Sequence, residues 1–157
     1  MNNNTSKHYS ISMSQMDLNH KDGTGTKTYP VMYITIEGAP SLSDMIHLIN
    51  DIKAAIRDVK EDYISVTDLS KLSINKFLGK IILTSMESTY KTLLSVGRQS
   101  VISFVVFGET QEYTSLLDST LRNINEQKID TVKDYKYRYY FVKLKEDIKA
   151  IAEQILM

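Results

Sequence analysis

Two segments near the start of the chain show the patterns of β-strands. Apolar residues alternate with serines over residues 9–13, the period of two that is typical of a half-exposed strand. Residues 31–37 read VMYITIE, a run rich in strand-forming residues. A turn-rich segment, residues 19–28, separates them. The pattern therefore predicts an antiparallel hairpin, with Pro30 at a strand start, where its missing N–H matters least.

From residue 41 onward the chain alternates between helical and strand patterns. Ser41 and Asp44 resemble a capping box, and apolar residues then keep helical spacing to about Lys60. The same reasoning predicts three further helices, over residues 75–96, from Thr110, and over 146–156. Apolar segments between them are predicted strands, over residues 63–67, 101–107 and 139–144. Such alternation with short connections predicts parallel strands joined by right-handed crossovers.

These elements predict the fold class α/β. The expected architecture is a single-layer, mostly parallel sheet with an antiparallel amino-terminal edge hairpin and with helices packed against it. A chain of 157 residues suffices for one such domain. We expect residues 1–28 to be a partly disordered amino-terminal extension with an edge strand at 8–18, and residues 29–157 to be the domain itself.

Composition and charge narrow the function classes. Lys+Arg and Asp+Glu both total 19, so no overall field attracts nucleic acid or anionic membranes. Cysteine is absent, which excludes disulfides, thiolate zinc sites and a cysteine nucleophile. No apolar run approaches the ~20 residues that span a bilayer, and the first ten residues lack the apolar stretch of a signal peptide. We therefore expect a cytoplasmic protein without a membrane span.

Three features resemble functional motifs but are explained better in other ways. Residues 22–27 (DGTGTK) lack the spacing of a phosphate-binding loop and indicate a turn. Residues 133–145 mix basic and aromatic side chains, yet acidic residues flank them, which favours a strand with solvated lysines over nucleic-acid binding. The three histidines form no ligand set, and no catalytic constellation is visible. We expect no metal, no cofactor and no enzymatic activity.

The most informative segment is residues 63–79, YISVTDLSKLSINKFLG. It reads as a strand ending in an acidic residue, then a polar loop, then a helix, and such loops commonly carry function in open α/β sheets. The predicted partner-binding residues are Asp68, Ser70, Ser73, Asn75, Lys76 and Gly79. Local capping explains the polar ones equally well, with Asp68 and Ser70 ordering the turn and Ser73 or Asn75 capping the helix.

The order of elements, with Asp68-Leu69-Ser70-Lys71-Leu72 after the second domain strand, resembles the STAS domain. This module occurs in bacterial anti-sigma-factor antagonists and sulfate-transporter tails. The resemblance covers about residues 31–156, and Gly79 falls where the family has a glycine. Lys76, Phe77 and Leu78 replace the family's Asp, first Ser and phosphorylated hydroxyl. In this the chain resembles a divergent branch that approaches the lipid-binding SEC14-like fold.

The resemblance implies a non-enzymatic, regulatory protein-interaction module. It would be similar to an anti-sigma-factor antagonist but would lack the phosphoacceptor serine, so binding would be constitutive or controlled by a ligand. A homodimer through the amino-terminal edge strand is a further expectation. If the chain were an enzyme, Asp68 would be the acid to test. We expect no nucleic-acid partner.

The alternative function is a carrier of a small apolar or acidic ligand. Its pocket would lie beside the sheet, with four aromatic residues as its lining: Tyr33, Phe104, Phe107 and Tyr139. Ordinary core packing would bury the same residues.

Overall fold

The computed structural model of the chain describes residues 4–5, 8–73, 100–106, 139–142 and 145–157. In chain order, their elements are β1 (Asn4–Thr5), β2 (Tyr9–Asn19), β3 (Thr26–Ile36), α1 (Leu42–Ile56), β4 (Ile64–Asp68), β5 (Ile102–Val106), β6 (Tyr139–Val142), a 3-10 helix (Lys145–Asp147) and α2 (Ile148–Leu156). The helices predicted over 75–96 and from residue 110 lie outside the described residues.

The described strands form one mixed sheet in the order β1-β2-β3-β4-β5-β6. The β1/β2 and β2/β3 pairs are antiparallel, and the β3/β4, β4/β5 and β5/β6 pairs are parallel. The predicted fold class, an α/β protein with a mostly parallel sheet and an antiparallel amino-terminal hairpin, is therefore confirmed. Residues 8–28 belong to this sheet and its hairpin turn, and β1 pairs with β2 only at Ser10 and Ile11.

The hairpin is longer than its sequence pattern indicates. β2 and β3 pair over eleven residues each, so β3 begins at Thr26, five residues before the predicted start. Residues 26–28 are exposed and polar, and they carry no apolar alternation that would mark them as strand. The placement of Pro30 at a strand start was wrong, because it pairs with Gln15 inside the ladder. The β4 ladder begins one residue later, at Val31.

Helices cover both faces of the sheet. The Tyr9 hydroxyl donates a hydrogen bond to Asp51 on α1, whereas Leu18 belongs to the core cluster that contains Ile148 on α2. Tyr9 and Leu18 have opposite parity on β2, so α1 and α2 pack on opposite faces. The α2 face buries one residue set from several strands: Leu18, Tyr29, Val31, Ile64, Val66, Ile102, Phe104, Val106 and Val142.

Helix α1 begins at the predicted capping box. The Asp44 N–H donates to Ser41 Oγ at 3.1 Å, and the Ser41 N–H donates to Asp44 Oδ2 at 2.9 Å, which confirms the box. The bond from the Ser41 N–H lowers the pKa of Asp44. The helix ends at Ile56 rather than near Lys60. Its last turn tightens there, since the Val59 N–H bonds to the Ile56 carbonyl three residues back.

Candidate functional site

Asp68 ends β4 at the carboxyl edge of the parallel strands, and its carboxylate organises the turn that follows. Its Oδ1 atom accepts hydrogen bonds from the Ser70 N–H at 2.9 Å and from Ser70 Oγ at 2.6 Å. Its Oδ2 atom accepts a hydrogen bond from the Tyr33 hydroxyl at 3.0 Å. Both carboxylate oxygens are thus engaged, as the capping interpretation of Asp68 and Ser70 expected.

Tyr33 joins this turn to the neighbouring strand β3 and to the start of the carboxy-terminal helical segment. The pKa of Tyr33 is raised, first by burial and then by its hydrogen bond to Asp68, with the negative charges of Asp68 and Glu146 adding to the shift. Lys145 Nζ lies 4.6 Å from the centroid of the Tyr33 ring, a cation–π contact. Tyr33 is therefore held by the hydrogen bond of its hydroxyl and by the ammonium group over its ring.

We define the β4 loop as residues 69–73. Leu69 is 0% exposed and Leu72 is 7% exposed, so two apolar side chains anchor the loop in the core. The Leu69 N–H donates to the Val106 carbonyl at 2.7 Å, which extends the β4/β5 pairing by one step. These contacts fix the loop against the sheet.

Gly38, two residues after the end of β3, holds the far side of the β4 loop. Its N–H donates to the Lys71 carbonyl at 3.1 Å, and its carbonyl accepts from the Ser73 N–H at 2.8 Å. Gly38 has a φ of +65°, and a Cβ atom there would lie 3.2 Å from His8 Nδ1. Both features favour glycine at this position.

The β4 loop presents exposed polar side chains from an ordered backbone. Ser70 and Lys71 are exposed between the two buried leucines, and Ser73 is exposed after them. Of the predicted partner-binding residues, Asp68 and Ser70 are bonded to each other, and Ser73 ends the loop. Asn75, Lys76 and Gly79 lie outside the described residues. The links from Gly38 and Lys145 were not predicted. The sequence signal for Gly38 is its place directly after the strand pattern of residues 31–37, which by itself does not indicate a contact with the β4 loop.

A cleft of about 550 Å³ lies beside Tyr33 on the α2 face of the sheet. We call it the α2-face cleft. Its lining comes from three strands and from the last helical segment: Ser12, Ser14, Gln15, Met16, Val31, Tyr33, Val66, Lys145, Glu146, Ile148 and Lys149. Tyr33 lines it as the carrier hypothesis expected. Phe104 does not, because it is 0% exposed within the core. Phe107 and the side chain of Tyr139 lie outside the described residues.

The raised pKa of Tyr33 predicts a loss of stability at alkaline pH. A raised folded-state pKa means that this stabilisation is complete below pH ~10, the value in the unfolded chain, and is lost as the pH rises above it. The stability advantage of the wild type over Tyr33→Phe should be constant from about pH 7 to 9 and should shrink above pH ~10. The slope should be a fraction of ~1.4 kcal/mol per pH unit, since Tyr33 is partly solvated. Urea denaturation of both proteins measures it, and a constant difference up to pH ~11 would contradict the prediction.

In the described part of the chain, no three His, Asp or Glu side chains come together in a group that could hold a metal ion. Among the helices of the same residues, none has the length and apolar character needed to cross a membrane.

Comparisons with known proteins add little to this geometry. No protein-family model matches the chain, and no curated protein matches it by sequence. One similar solved structure is described as an uncharacterized protein from the DUF3478 family with a SpoIIAA-like fold, from Shewanella loihica PV-4. The similarity covers 87% of this chain and 90% of that one, with 13% identity and a TM-score of 0.46. The fold class is shown by the order and the directions of the strands.

Proposed function

We propose that this chain is a non-enzymatic regulatory module that binds a protein partner through the β4 loop. The observation that carries the proposal is that the β4 loop combines two buried apolar anchors with three exposed polar side chains on a backbone fixed by Asp68 and Gly38. A surface that is already ordered loses little conformational freedom on association, which favours affinity. Asn75, Lys76 and Gly79 are proposed to continue the same surface.

The role of Asp68 supports a binding function over a catalytic one. A general acid or base needs an oxygen that can reach a substrate proton. Here one carboxylate oxygen is held by Ser70 and the other by the Tyr33 hydroxyl. Asp68 therefore fits the part of a structural organiser of the loop.

Two exposed apolar residues lie close to Gly38 along the chain. Leu42 is 59% exposed and Ile46 is 52% exposed, one turn apart at the start of α1. Leu42 follows Gly38 by four residues, so the chain places it within about 14 Å of the glycine that holds the loop. We propose that these side chains extend the partner surface, because exposed apolar groups provide the desolvated contacts that dominate protein interfaces.

The proposed resemblance to STAS domains bears on how binding is controlled. The described elements follow the order of that resemblance: hairpin, helix, strand with Asp-Leu-Ser, strand, strand, helix. The two further helices that the resemblance includes lie outside the described residues. Leu78 stands where the family has its phosphorylated hydroxyl, and leucine cannot accept a phosphate. We therefore propose that partner binding is constitutive or is controlled by a ligand.

Charge reversal at Lys71 tests the proposal. Lys71→Glu should reduce the partner-bound fraction at least about tenfold, because the exposed lysine would contact the partner. The fold should stay intact, since only the Lys71 backbone carbonyl bonds to Gly38. The measurement is native mass spectrometry of the full chain, affinity-isolated from the cells that make it.

Lys21→Glu is the matched control, because Lys21 is an exposed lysine in the turn between β2 and β3, at the opposite end of β3 from Gly38. It should leave the complex unchanged. If Lys71→Glu keeps the wild-type amount of complex, or if both variants lose it equally, the β4 loop is not the binding surface.

The carrier of a small ligand is the second candidate function. The specific observation in its favour is the α2-face cleft, whose volume lies within the ~300–1,000 Å³ typical of ligand sites. Its lining combines buried apolar residues with basic residues at the rim.

A further inference from the structure

We propose that the α2-face cleft binds an amphipathic monocarboxylate, the chemical class of a medium-chain fatty acid. The apolar chain of the ligand would lie on the sheet, and its carboxylate would face Lys145 and Lys149. The inference specifies the ligand class for the second candidate function, the carrier, and it does not depend on partner binding by the β4 loop.

Apolar side chains line the floor of the cleft, which favours a ligand with an apolar body. They are Val31 and Val66 on the neighbouring strands β3 and β4, and Ile148, the first residue of α2. Met16 is half-buried beside them, and its flexible thioether can adapt to an alkyl chain. A small, fully charged ligand such as inorganic phosphate would lose its hydration on this floor without compensation.

The hydroxyl of Tyr33 does not compete for the ligand. It donates its hydrogen bond to Asp68, so the ring serves as a wall of the cleft and its polar end points into the turn. Lys145 Nζ is placed over this ring, which keeps one ammonium group at the edge of the cleft. The Tyr33 ring and the Lys145 ammonium group together favour a ligand with an apolar segment directly beside an acidic group.

The rim has an excess of positive charge. Lys145 and Lys149 oppose a single lining carboxylate, that of Glu146, and all three side chains are exposed. Ser12 and Ser14 on β2 add hydroxyl groups that can donate to a carboxylate. This balance favours one negative charge on the ligand. It disfavours an alkyl ammonium, and it offers weaker hydrogen bonds to an uncharged alcohol than to a carboxylate.

The test compares three ligands with the same alkyl chain. Octanoate, octanol and octylamine are titrated into the full chain by isothermal calorimetry. Octanoate should bind, octanol should bind at least about tenfold more weakly, and octylamine should show no binding up to about 1 mM. Equal affinity for octanoate and octanol, or no binding of octanoate at about 1 mM, would overturn the proposal.

Three variants test whether octanoate binds in the α2-face cleft. The double variant Lys145→Gln/Lys149→Gln should weaken octanoate binding about tenfold, whereas Lys53→Gln on the opposite helix should not change it. Ser14→Phe should block the cleft from an exposed position on β2, with an unchanged circular dichroism spectrum. Equal weakening by Lys53→Gln would show a non-specific charge effect, and full binding by Ser14→Phe would place the ligand elsewhere. Either result would overturn the proposal.

The experiment separates this inference from the proposed function. Lys71→Glu lies in the β4 loop and should bind octanoate with wild-type affinity. If the partner complex survives Lys71→Glu while octanoate binds as described, only the loop assignment fails. If octanoate does not bind while the complex depends on Lys71, only the cleft assignment fails.

Discussion

Phe104→Ala is expected to lower the free energy of unfolding by about 3–5 kcal/mol. Phe104 lies in the middle of β5, where it pairs with Val66 on one side and Tyr140 on the other. Its side chain is 0% exposed, and its ring centroid is 6.0 Å from that of Tyr140. Truncation removes the buried ring and leaves a cavity in the core on the α2 face of the sheet, which the close-packed neighbours fill only in part. Urea denaturation with an unchanged slope provides the measurement.

Leu42→Ala is the control for Phe104→Ala. Leu42 is a large apolar residue that is 59% exposed, so its truncation should change the free energy of unfolding by no more than about 0.5 kcal/mol. A loss below about 1.5 kcal/mol for Phe104→Ala would mean that this ring is not packed in a core. That outcome would return Phe104 to the ligand-lining role that the sequence suggested.

Asp68→Ala is expected to lower the free energy of unfolding by about 2–3 kcal/mol, because hydrogen bonds to a charged acceptor are among the stronger ones. The change removes the acceptor of the Ser70 N–H and Ser70 Oγ bonds. It also leaves the hydroxyl of half-buried Tyr33 without its partner. The β4 loop should become less ordered, so partner binding should weaken with stability. Chemical denaturation and hydrogen exchange at residues 69–73 measure the two effects.

Two variants make the Asp68 prediction specific. Asp68→Asn keeps an acceptor for the Ser70 N–H and can offer an N–H to the Tyr33 oxygen, so its loss should be about 1 kcal/mol. Asp62→Ala removes an exposed carboxylate near the other end of β4 and should change stability by less than about 0.5 kcal/mol. Equal losses for Asp68→Asn and Asp68→Ala would show that the charge, rather than the hydrogen-bonded turn, stabilises the loop.

Local patterns predicted the fold well where one short-range interaction determines the structure. The capping box of Ser41 and Asp44 is closed within four residues, and both of its hydrogen bonds are present. The parallel strands were recognised because they are apolar, and the observed bounds of β4 and β5 lie within one residue of those predicted. The end of α1 was missed because apolar Val59 continues the helical spacing beyond the last helical turn at Ile56.

Burial on β2 could not be predicted from its alternation alone. Tyr9 and Ile11 are buried as the pattern indicated, but Leu18, of opposite parity, is 0% exposed. The reason is that α1 covers one face of the sheet near Tyr9, and α2 covers the other face near Leu18. A strand covered by different helices at its two ends changes its buried face, and this depends on contacts distant in sequence.

Only the short-range contacts of the candidate site could be predicted from the sequence. The turn of Asp68 and Ser70 joins residues two positions apart, and the sequence suggested it directly. The bond from Tyr33 to Asp68 joins residues 35 positions apart, and Lys145 reaches Tyr33 from the other end of the chain. The α2-face cleft arises from the same long-range packing. Of the aromatic residues that the sequence offered either as its lining or as core, Tyr33 lines the cleft and Phe104 is packed in the core.

Site-specific photo-crosslinking tests the central claim most directly, namely that the β4 loop is a partner-binding surface. A photoreactive amino acid is placed at position 71 or, as the control, at position 21, in the full chain expressed in its own cells. The account predicts one defined adduct with a different protein from position 71 and none from position 21. No adduct from position 71, adducts from both positions, or an adduct of twice the chain's own mass would contradict it.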